Sequence, residues 1–261
     1  MKKDKKDKIK DLAKEVYDDV GRPIARPLGK TLGLIPRAIR AALFPLEKWI
    51  MKREYNLAEI EKLLENKLSN IPPEQITTPE PYVAVPALQY ISYCMDNNEL
   101  RDMYANLLAN SMNTVVKNGV HPGFVDIIKQ LCPDEAKLLK YISLRRSVAT
   151  ITLRYVNDLS QYINVVRNFS DIGELSGCEY PLKIGAYFDN LMRLGLLIQP
   201  YDQYITIPRM YKILEEHKFI KTKIDELKNN PNYTKTKIVN GMMEITSYGQ
   251  QFCNICIGKF C

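Results

Sequence analysis

Leu191-Met192-Arg193-Leu194-Gly195-Leu196-Leu197 is the stretch of sequence that decides the fold of the C-terminal part of the chain. Its leucines follow one another at helical spacing up to Gly195, and a glycine at that point is typical of a helix C-terminus. We therefore predict a helix over residues 181–198 that ends in this stretch, with Gly195 as its C-terminal cap.

Extended segments and a turn follow that helix. Tyr204 to Ile207 predicts a short strand, and Arg209 to Lys228 a polar helix. The Asn240-Gly241 pair between two largely apolar runs is a strong signal for a two-residue β-hairpin turn. A last helix is predicted over residues 250–257. This order of helix, strand, hairpin and helix resembles a winged-helix domain that carries an inserted helix.

Helical patterns dominate the preceding residues. Asn56 with Glu59 is typical of a capping box, and further helices are predicted to begin near Pro86, Phe124 and Pro133. A strip of small or polar residues accompanies the apolar stripe of residues 100–111. For this strip, contact with another helix, contact in an oligomer and a solvated face all remain open. Its members are Asp102, Ala105, Asn106, Ala109 and Asn113.

The predicted fold class is mainly α. Ser147 to Val156 has enough β-branched residues for a strand, although a helix also fits. We expect an N-terminal helical module followed by a winged-helix-like α+β module with a small antiparallel sheet. The predicted divisions are a basic amphipathic segment over residues 1–53, a helical module over 54–132 and the winged-helix-like module over 133–261.

Positive charge is concentrated at the N-terminus. Fifteen of the 37 Lys and Arg residues lie within residues 1–53, with seven of the 30 acidic residues, so this segment carries +8 and the remainder −1. Such a field attracts anionic lipid or nucleic acid, and each cation near an anionic leaflet contributes about 1 kcal/mol. A solvated basic tail is the alternative. Because no early apolar run suggests a signal peptide, we expect a cytoplasmic location, including the inner face of the cell membrane.

The most apolar long stretch near the N-terminus runs from Leu28 to Met51. Arg37 and Arg40 lie inside it on one helical face, and a charge at the centre of a spanning helix costs at least about 2.5 kcal/mol. An interfacial helix, or one that lines a channel in an oligomer, avoids that cost, whereas a helix packed on the protein's own core is the alternative. The residues predicted to interact with a membrane are Leu32, Leu34, Ile35, Arg37, Ile39, Arg40, Leu43, Phe44, Leu46 and Trp49.

Two stretches carry a family resemblance. Glu99-Leu100-Arg101-Asp102-Met103-Tyr104-Ala105-Asn106-Leu107-Leu108-Ala109 and residues 120–131, from Val120-His121-Pro122-Gly123 to Leu131, resemble the signature of the abortive-infection alpha family. Residues 27–35 and Asn168-Phe169-Ser170-Asp171 agree with it. The resemblance implies anti-phage defence by growth arrest or death, and a membrane effector held by a partner or a nucleotide signal is one form of such defence. It brings no catalytic motif that maps onto this chain.

Residues for catalysis or metal binding do not form a recognised motif in the sequence. His121 lies in a predicted turn and His217 on a charged helix, neither beside a nucleophile motif. Gly29-Lys30-Thr31 lacks the glycine frame of a phosphate loop. Cys253, Cys256 and Cys261 have metal-like spacing without a second pair, and buried thiols account for the first two equally well. We expect no enzymatic activity, no cofactor and no metal.

The predicted function is an anti-phage effector that acts on the membrane as a homo-oligomer, under the control of a protein partner or a nucleotide or oligonucleotide ligand. Lys183, Arg193, Lys235 and Lys237 are the candidate ligand-binding residues, on the predicted helix and hairpin. A duplex fits less well, because the chain beyond Arg53 is slightly acidic and duplex binding needs several phosphate contacts. The alternative is a soluble nucleic-acid-binding regulator with a winged-helix domain.

Overall fold

The computed structural model describes residues 53–69, 71–227 and 230–258. The chain divides into two compact units, Met1–Tyr55 and Asn56–Cys261, and nearly all of the described residues belong to the second. The residues predicted to interact with a membrane lie outside the described residues, as does Cys261.

The described residues form mostly helices, with four strands in one sheet. The helices are α1 Arg53–Leu68, α2 Pro81–Ile91, α3 Asn98–Ser111, α4 Gly123–Lys129, α5 Pro133–Ser143, α6 Ile172–Leu175, α7 Ile184–Arg193, α8 Pro208–Glu215, α9 Lys218–Glu226 and α10 Ser247–Cys256. The strands are β1 Ser147–Val156, β2 Tyr162–Phe169, β3 Leu197–Ile198 and β4 Lys235–Ile245.

Helix α3 lies at the centre of the helical part and packs against α2, α4, α5 and α10. It begins after Asn97, whose Oδ1 accepts a hydrogen bond from the backbone N–H of Leu100 at 2.9 Å. Tyr104 and Leu107 on this helix have no exposed surface. Full burial of a leucine contributes about 1.5–3 kcal/mol, so α3 is a major source of stability. One continuous core runs from Ile60 in α1 to Cys256 in α10.

The sheet is antiparallel throughout and has the order β2-β1-β4-β3, so β1 is flanked on both sides. Ile151, Leu153 and Tyr155 are buried, whereas the alternating Thr152 and Arg154 keep some exposed surface. This alternation is the period of two expected of a strand. The strand predicted over Ser147 to Val156 is confirmed, and so is a mainly α fold with a small antiparallel sheet.

The hairpin turn predicted at Asn240-Gly241 is wrong. Both residues lie inside β4, an unbroken strand of 11 residues that pairs with β1 along its length. Gly241 is paired with Thr150, and a Cβ on Gly241 would lie 3.2 Å from Thr150 Oγ1. The glycine therefore permits close packing on the sheet, and pairing with a long neighbouring strand outweighs the local turn preference.

Gly195 ends α7 in the predicted manner. Its φ is 73°, its N–H donates to the carbonyl of Met192 at 2.9 Å, and the N–H of Leu196 donates to the carbonyl of Leu191 at 3.0 Å. These two bonds form a Schellman cap. The helix is shorter than predicted, because a 3-10 turn over Pro181–Lys183 precedes Ile184.

Several other predicted boundaries are wrong. Residues 204–207 do not form a strand. The polar helix over 209–228 is broken at His217, whose Nδ1 accepts a hydrogen bond from Phe219 N at 3.2 Å and caps α9. Asn56 lies within α1 rather than before it. Pro86 lies in the middle of α2, where it has no N–H to donate to the carbonyl of Tyr82, an exposed residue one turn earlier.

Candidate functional site

The four predicted ligand-binding cations lie on two elements. Lys183 and Arg193 lie at opposite ends of α7, and a helix of ten residues is about 15 Å long. Lys183 Nζ is 4.4 Å from the centre of the Tyr180 ring. Lys235 and Lys237 are exposed on β4, two residues apart, so they share one face of the sheet. The structure therefore brings the two strand lysines together and separates the two helix cations.

Arg193 is already hydrogen-bonded to its neighbours. Its Nε donates to Asn190 Oδ1 at 3.1 Å and one terminal nitrogen donates to Gln130 Oε1 at 3.0 Å. Asn190 Nδ2 in turn donates to Glu135 Oε1 at 2.8 Å. Arg193 thus joins the end of α7 to the connection between α4 and α5.

The two strand lysines belong to a larger surface, which we call the open face. The register places Lys237 beside Arg154 and Lys235 beside Val156, and β2 adds Asn164 and Tyr162 on the other side of β1. All of these side chains keep access to solvent. The open face consists of Thr152, Arg154, Val156, Tyr162, Asn164, Lys235, Lys237 and Val239.

All of the charged side chains on the open face are positive. Its cations are Arg154, Lys235 and Lys237, and none of its eight side chains is acidic. The guanidinium carbon of Arg154 lies 4.1 Å from the centre of the Tyr162 ring. Arg154 Nε also donates to Asn164 Oδ1 at 3.1 Å, so the arginine is held flat on the sheet. Asp158, in the turn after β1, accepts a hydrogen bond from Thr234 Oγ1 at 2.8 Å.

A pair of amide side chains borders the open face. Asn168 Nδ2 donates to Gln199 Oε1 at 3.2 Å, and Gln199 Nε2 donates back to Asn168 Oδ1 at 2.9 Å. Gln199 Nε2 also lies 3.5 Å from the position of a Cβ on Gly241. Next to this border, α7 packs on the sheet, since a Cβ on Gly185 would lie 2.9 Å from the carbonyl oxygen of Arg167.

Helix α9 packs against part of the opposite face of the sheet. The Phe169 ring lies 5.5 Å from the Phe219 ring and 4.9 Å from the His217 ring. The hydroxyl of Tyr155 donates to the carbonyl of Lys223. The sheet thus has one face in the core and one face half covered, which is the usual arrangement for an antiparallel sheet at a protein surface.

A polar cleft of about 720 Å³ lies beside the start of α3. Its volume is within the range of small-molecule sites, about 300–1,000 Å³. Glu99, Asp102 and Asn106 from the motif that carries the family resemblance line it, opposite lysines from α1 and α5. Side chains of both signs of charge therefore line the cleft. The lysines are Lys67, Lys137 and Lys140.

The strip on α3 that the sequence left undecided is largely a helix contact. Asn106 Nδ2 donates to the carbonyl of Cys256 at 2.9 Å, and Asn110 Nδ2, next to the strip on α3, donates to the carbonyl of Ile255 at 2.7 Å. Ala105 is fully buried. The two amides therefore satisfy carbonyls at the end of α10 that would otherwise lack partners. Asp102, on the same strip, is exposed and lines the cleft.

Asp134 organises the loop before α7. Its carboxylate accepts hydrogen bonds from the N–H groups of Glu179 and Tyr180 at 2.8 and 3.0 Å and from the hydroxyl of Tyr187 at 2.9 Å. Burial alone would raise the pKa of Asp134, but these three donors and the nearby Lys137 outweigh it and hold that pKa below its usual range. The carboxylate is therefore a structural anion.

Both histidines have hydrogen-bonding roles in the fold. His121 Nδ1 accepts a hydrogen bond from Gly123 N at 3.0 Å and so caps the turn before Phe124. His217 caps α9 through Nδ1, and its Nε2 lies 3.1 Å from Glu174 Oε1. His121 Nδ1 also lies 3.4 Å from the hydroxyl of Tyr248, so each imidazole contacts a second chain segment.

Cys253 and Cys256, the two described members of the cysteine cluster, are buried. Burial raises the pKa of Cys253 to about 12 and that of Cys256 well above its ordinary value, so both stay as unreactive thiols. Among the described residues, no three His, Cys, Asp or Glu side chains are arranged to hold a metal ion. No helix in the described parts of the chain is long and apolar enough to cross a membrane.

Fold and surface together define a mainly helical α+β protein with a polar cleft and a basic sheet face. The family model for abortive infection alpha matches residues 52–256, and the chain therefore belongs to the abortive infection alpha family. An uncharacterized protein from the hydrocarbon-degrading marine bacterium Alcanivorax borkumensis SK2 is similar in structure, with a TM-score of 0.37, 22% identity and coverage of 51% of this chain and 90% of that one. So distant a likeness says nothing about function. No curated protein matches the chain.

The sequence prediction missed the residues of the open face that come from β1 and β2. Arg154, Tyr162 and Asn164 join Lys237 only through strand pairing, and strand β2 was not predicted. A signal for it was present, since Asn157-Asp158-Leu159-Ser160 is a run of mostly turn-forming residues between two β-branched stretches. In the structure, Asn157 Oδ1 accepts a hydrogen bond from Gln161 N at 2.8 Å across this turn.

Proposed function

We propose that the chain is an anti-phage effector that arrests the growth of an infected cell, and that it does so at the cell membrane, as a homo-oligomer, through residues 1–53. Membership of the abortive infection alpha family is the observation that carries the defence role. The membrane mechanism is supported by the charge of +8 on residues 1–53 and by the apolar stretch within them that contains Ile39, Leu43 and Trp49. Such a segment gains both electrostatic attraction and apolar burial at an anionic leaflet.

In this proposal the unit Asn56–Cys261 controls the effector by binding a ligand or a partner. Two surfaces support that role, the polar cleft beside α3 and the open face of the sheet. The chain performs no catalysis in this account, because each histidine has a capping role and the clustered thiols Cys253 and Cys256 are buried. Toxicity then depends on assembly and not on a proton transfer.

Residues 133–256 follow, in this proposal, a winged-helix plan with insertions. The antiparallel order β1-β4-β3 supports it, with α7 before β3 in the position of a recognition helix and β3 and β4 as the strands of the wing. Helices α8 and α9 are then an insertion between the two wing strands. A nucleic-acid-binding regulator is the second candidate function, and the charge of the open face is the observation that favours it.

A phage challenge at two multiplicities tests the defence role. Cells that express the chain should survive when phages are fewer than cells and should stop growing, without releasing phage, when phages outnumber cells. A variant with Ile39→Asp and Leu43→Asp should give no protection in either condition. Protected cells that keep growing when phages outnumber cells would contradict an abortive mechanism, and an unprotected culture at low multiplicity would contradict a defence role.

A further inference from the structure

We infer that the open face is a binding surface for single-stranded nucleic acid. The cellular role of this surface rests on the proposed control by a ligand. Binding of single strands can be measured independently of that role. Arg154 on β1 and Lys235 and Lys237 on the adjacent strand β4 give the face its positive charge, and none of its eight side chains is acidic. A polyanion is the complement of such a surface.

The geometry of the face suits an extended strand. Lys235 and Lys237 are two residues apart on β4, which separates them by about 6.7 Å along the sheet, so they can contact successive parts of a phosphate backbone. Tyr162 on β2 is 53% exposed and offers an aromatic surface for a base. Asn164 beside it carries an amide that can donate to a base edge.

A duplex does not fit the same surface. The three strands β2, β1 and β4 already span about 10 Å between their outer axes, and their side chains add to that width. A major groove about 12 Å wide admits a helix or a two-stranded ribbon, so a three-stranded face cannot enter it. A bilayer is also a poor complement, because the apolar side chains of the face, Val156 and Val239, are half-buried between polar ones.

Fluorescence anisotropy of labelled single strands with the full-length chain tests the inference. The probe is a thymidine dodecamer, compared with a hairpin duplex of equal charge and with vesicles that contain anionic phosphatidylglycerol. Lys235→Gln with Lys237→Gln removes two charges from the open face. Lys218→Gln with Lys221→Gln removes two exposed charges from α9, which lies on the other side of the sheet. This variant is the matched control, because it loses the same charge and residues 1–53 are the same in both variants.

The expected result is saturable single-strand binding that weakens at least about tenfold in Lys235→Gln with Lys237→Gln and stays within twofold in the control. Two lost phosphate contacts should also reduce the slope of log affinity against log salt by about 1.4. Tyr162→Leu should weaken binding at least about fivefold with the salt slope unchanged, since stacking is lost and charge is not. Each variant should melt at the temperature of the parent chain.

Three results would overturn the inference: no saturable binding, equal losses in the two lysine variants, or a preference for duplex or vesicles that depends on Lys235 and Lys237. The proposed function is tested separately by expression in cells. If Lys235→Gln with Lys237→Gln loses strand binding but growth arrest is unchanged, the binding surface stands and the proposed control by a ligand fails.

Discussion

At the scale of single residues, Asp134 holds several polar groups in place outside the apolar core. Asp134 is at the start of α5 and is 4% exposed. Its carboxylate accepts hydrogen bonds from the backbone N–H groups of residues 179–180 and from the hydroxyl of Tyr187. A buried carboxylate that accepts three hydrogen bonds is stabilised as an anion, because those hydrogen bonds would weaken if the charge were removed.

Asp134→Asn should lower the free energy of unfolding by about 2–3 kcal/mol at pH 7, since one lost acceptor leaves donors unsatisfied. The pKa of Asp134 is depressed in the folded chain, so its contribution is complete above the unfolded pKa of about 3.9 and is lost as pH falls through the folded value. Urea titrations at several pH values should show the difference between the two proteins shrinking below about pH 4. Asp189→Asn, at an exposed position of α7, is the control and should change stability by less than about 0.5 kcal/mol. An equal effect of the two substitutions would show that the Asp134 contacts are unimportant.

The two histidines give a prediction about activity. His121→Asn with His217→Asn removes both imidazoles but keeps a side-chain acceptor for the N–H groups of Gly123 and Phe219, because asparagine caps such turns well. Growth arrest should stay within a factor of a few, whereas loss of a catalytic base costs about 10² or more in rate. Circular dichroism checks the fold. A folded double variant without activity would make one histidine catalytic and refute the non-enzymatic account.

At the scale of elements, the end of α7 and the start of α10 pack directly on each other. Thr246 Oγ1 accepts a hydrogen bond from Gly249 N at 2.8 Å and donates to the carbonyl of Gly195 at 2.6 Å. Thr246 N donates to the carbonyl of Leu196 at 3.0 Å. The cap of one helix therefore positions the first turn of the other, and no side chain fits between them.

Gly249→Ala should be destabilising for this reason. The added Cβ would lie 2.1 Å from the carbonyl oxygen of Leu196, which is backbone and cannot rotate away, so a loss of about 2–3 kcal/mol or more is expected. Gly119→Ala is the matched control, because its Cβ would lie an ordinary 3.5 Å from Ile255 Cδ1, and less than about 1 kcal/mol should change. Midpoints of urea unfolding measure both variants. If Gly249→Ala were as stable as Gly119→Ala, the close contact of α7 and α10 would be disproved.

Local sequence patterns correctly predicted the elements that depend on interactions between neighbouring residues. The β-branched run of β1 and the Gly195 cap follow from alternation and from backbone conformation, which the sequence contains. The Asn240-Gly241 turn and the role of Pro86 were mispredicted because pairing with β1 and packing of α2 decide them. Lys235 and Lys237 were named as candidates for their charge and their place on the mispredicted hairpin, whereas Arg154 and Tyr162 required the strand register, which no local pattern specifies.

At the scale of the whole molecule, charge and core are distributed differently. The core of the unit Asn56–Cys261 is continuous from α1 to α10, so the predicted division near residue 132 falls within one connected set of buried side chains. Most of the net charge lies instead in residues 1–53. The compact unit Asn56–Cys261 and the basic segment of residues 1–53 are therefore separate parts of one chain.

The central claim is that residues 1–53 carry the toxic activity at the membrane, and the membrane potential of cells after induction tests it most directly. Ile39→Asp with Leu43→Asp places two charges on the apolar stretch, whereas Val115→Asp with Tyr201→Asp adds the same charge at positions 66% and 95% exposed in the described unit. The parent chain and the second variant should depolarise the cells and fractionate with membranes. The first variant should stay folded, leave the potential intact and permit growth. Depolarisation and growth arrest that persist with Ile39→Asp and Leu43→Asp would contradict the membrane mechanism.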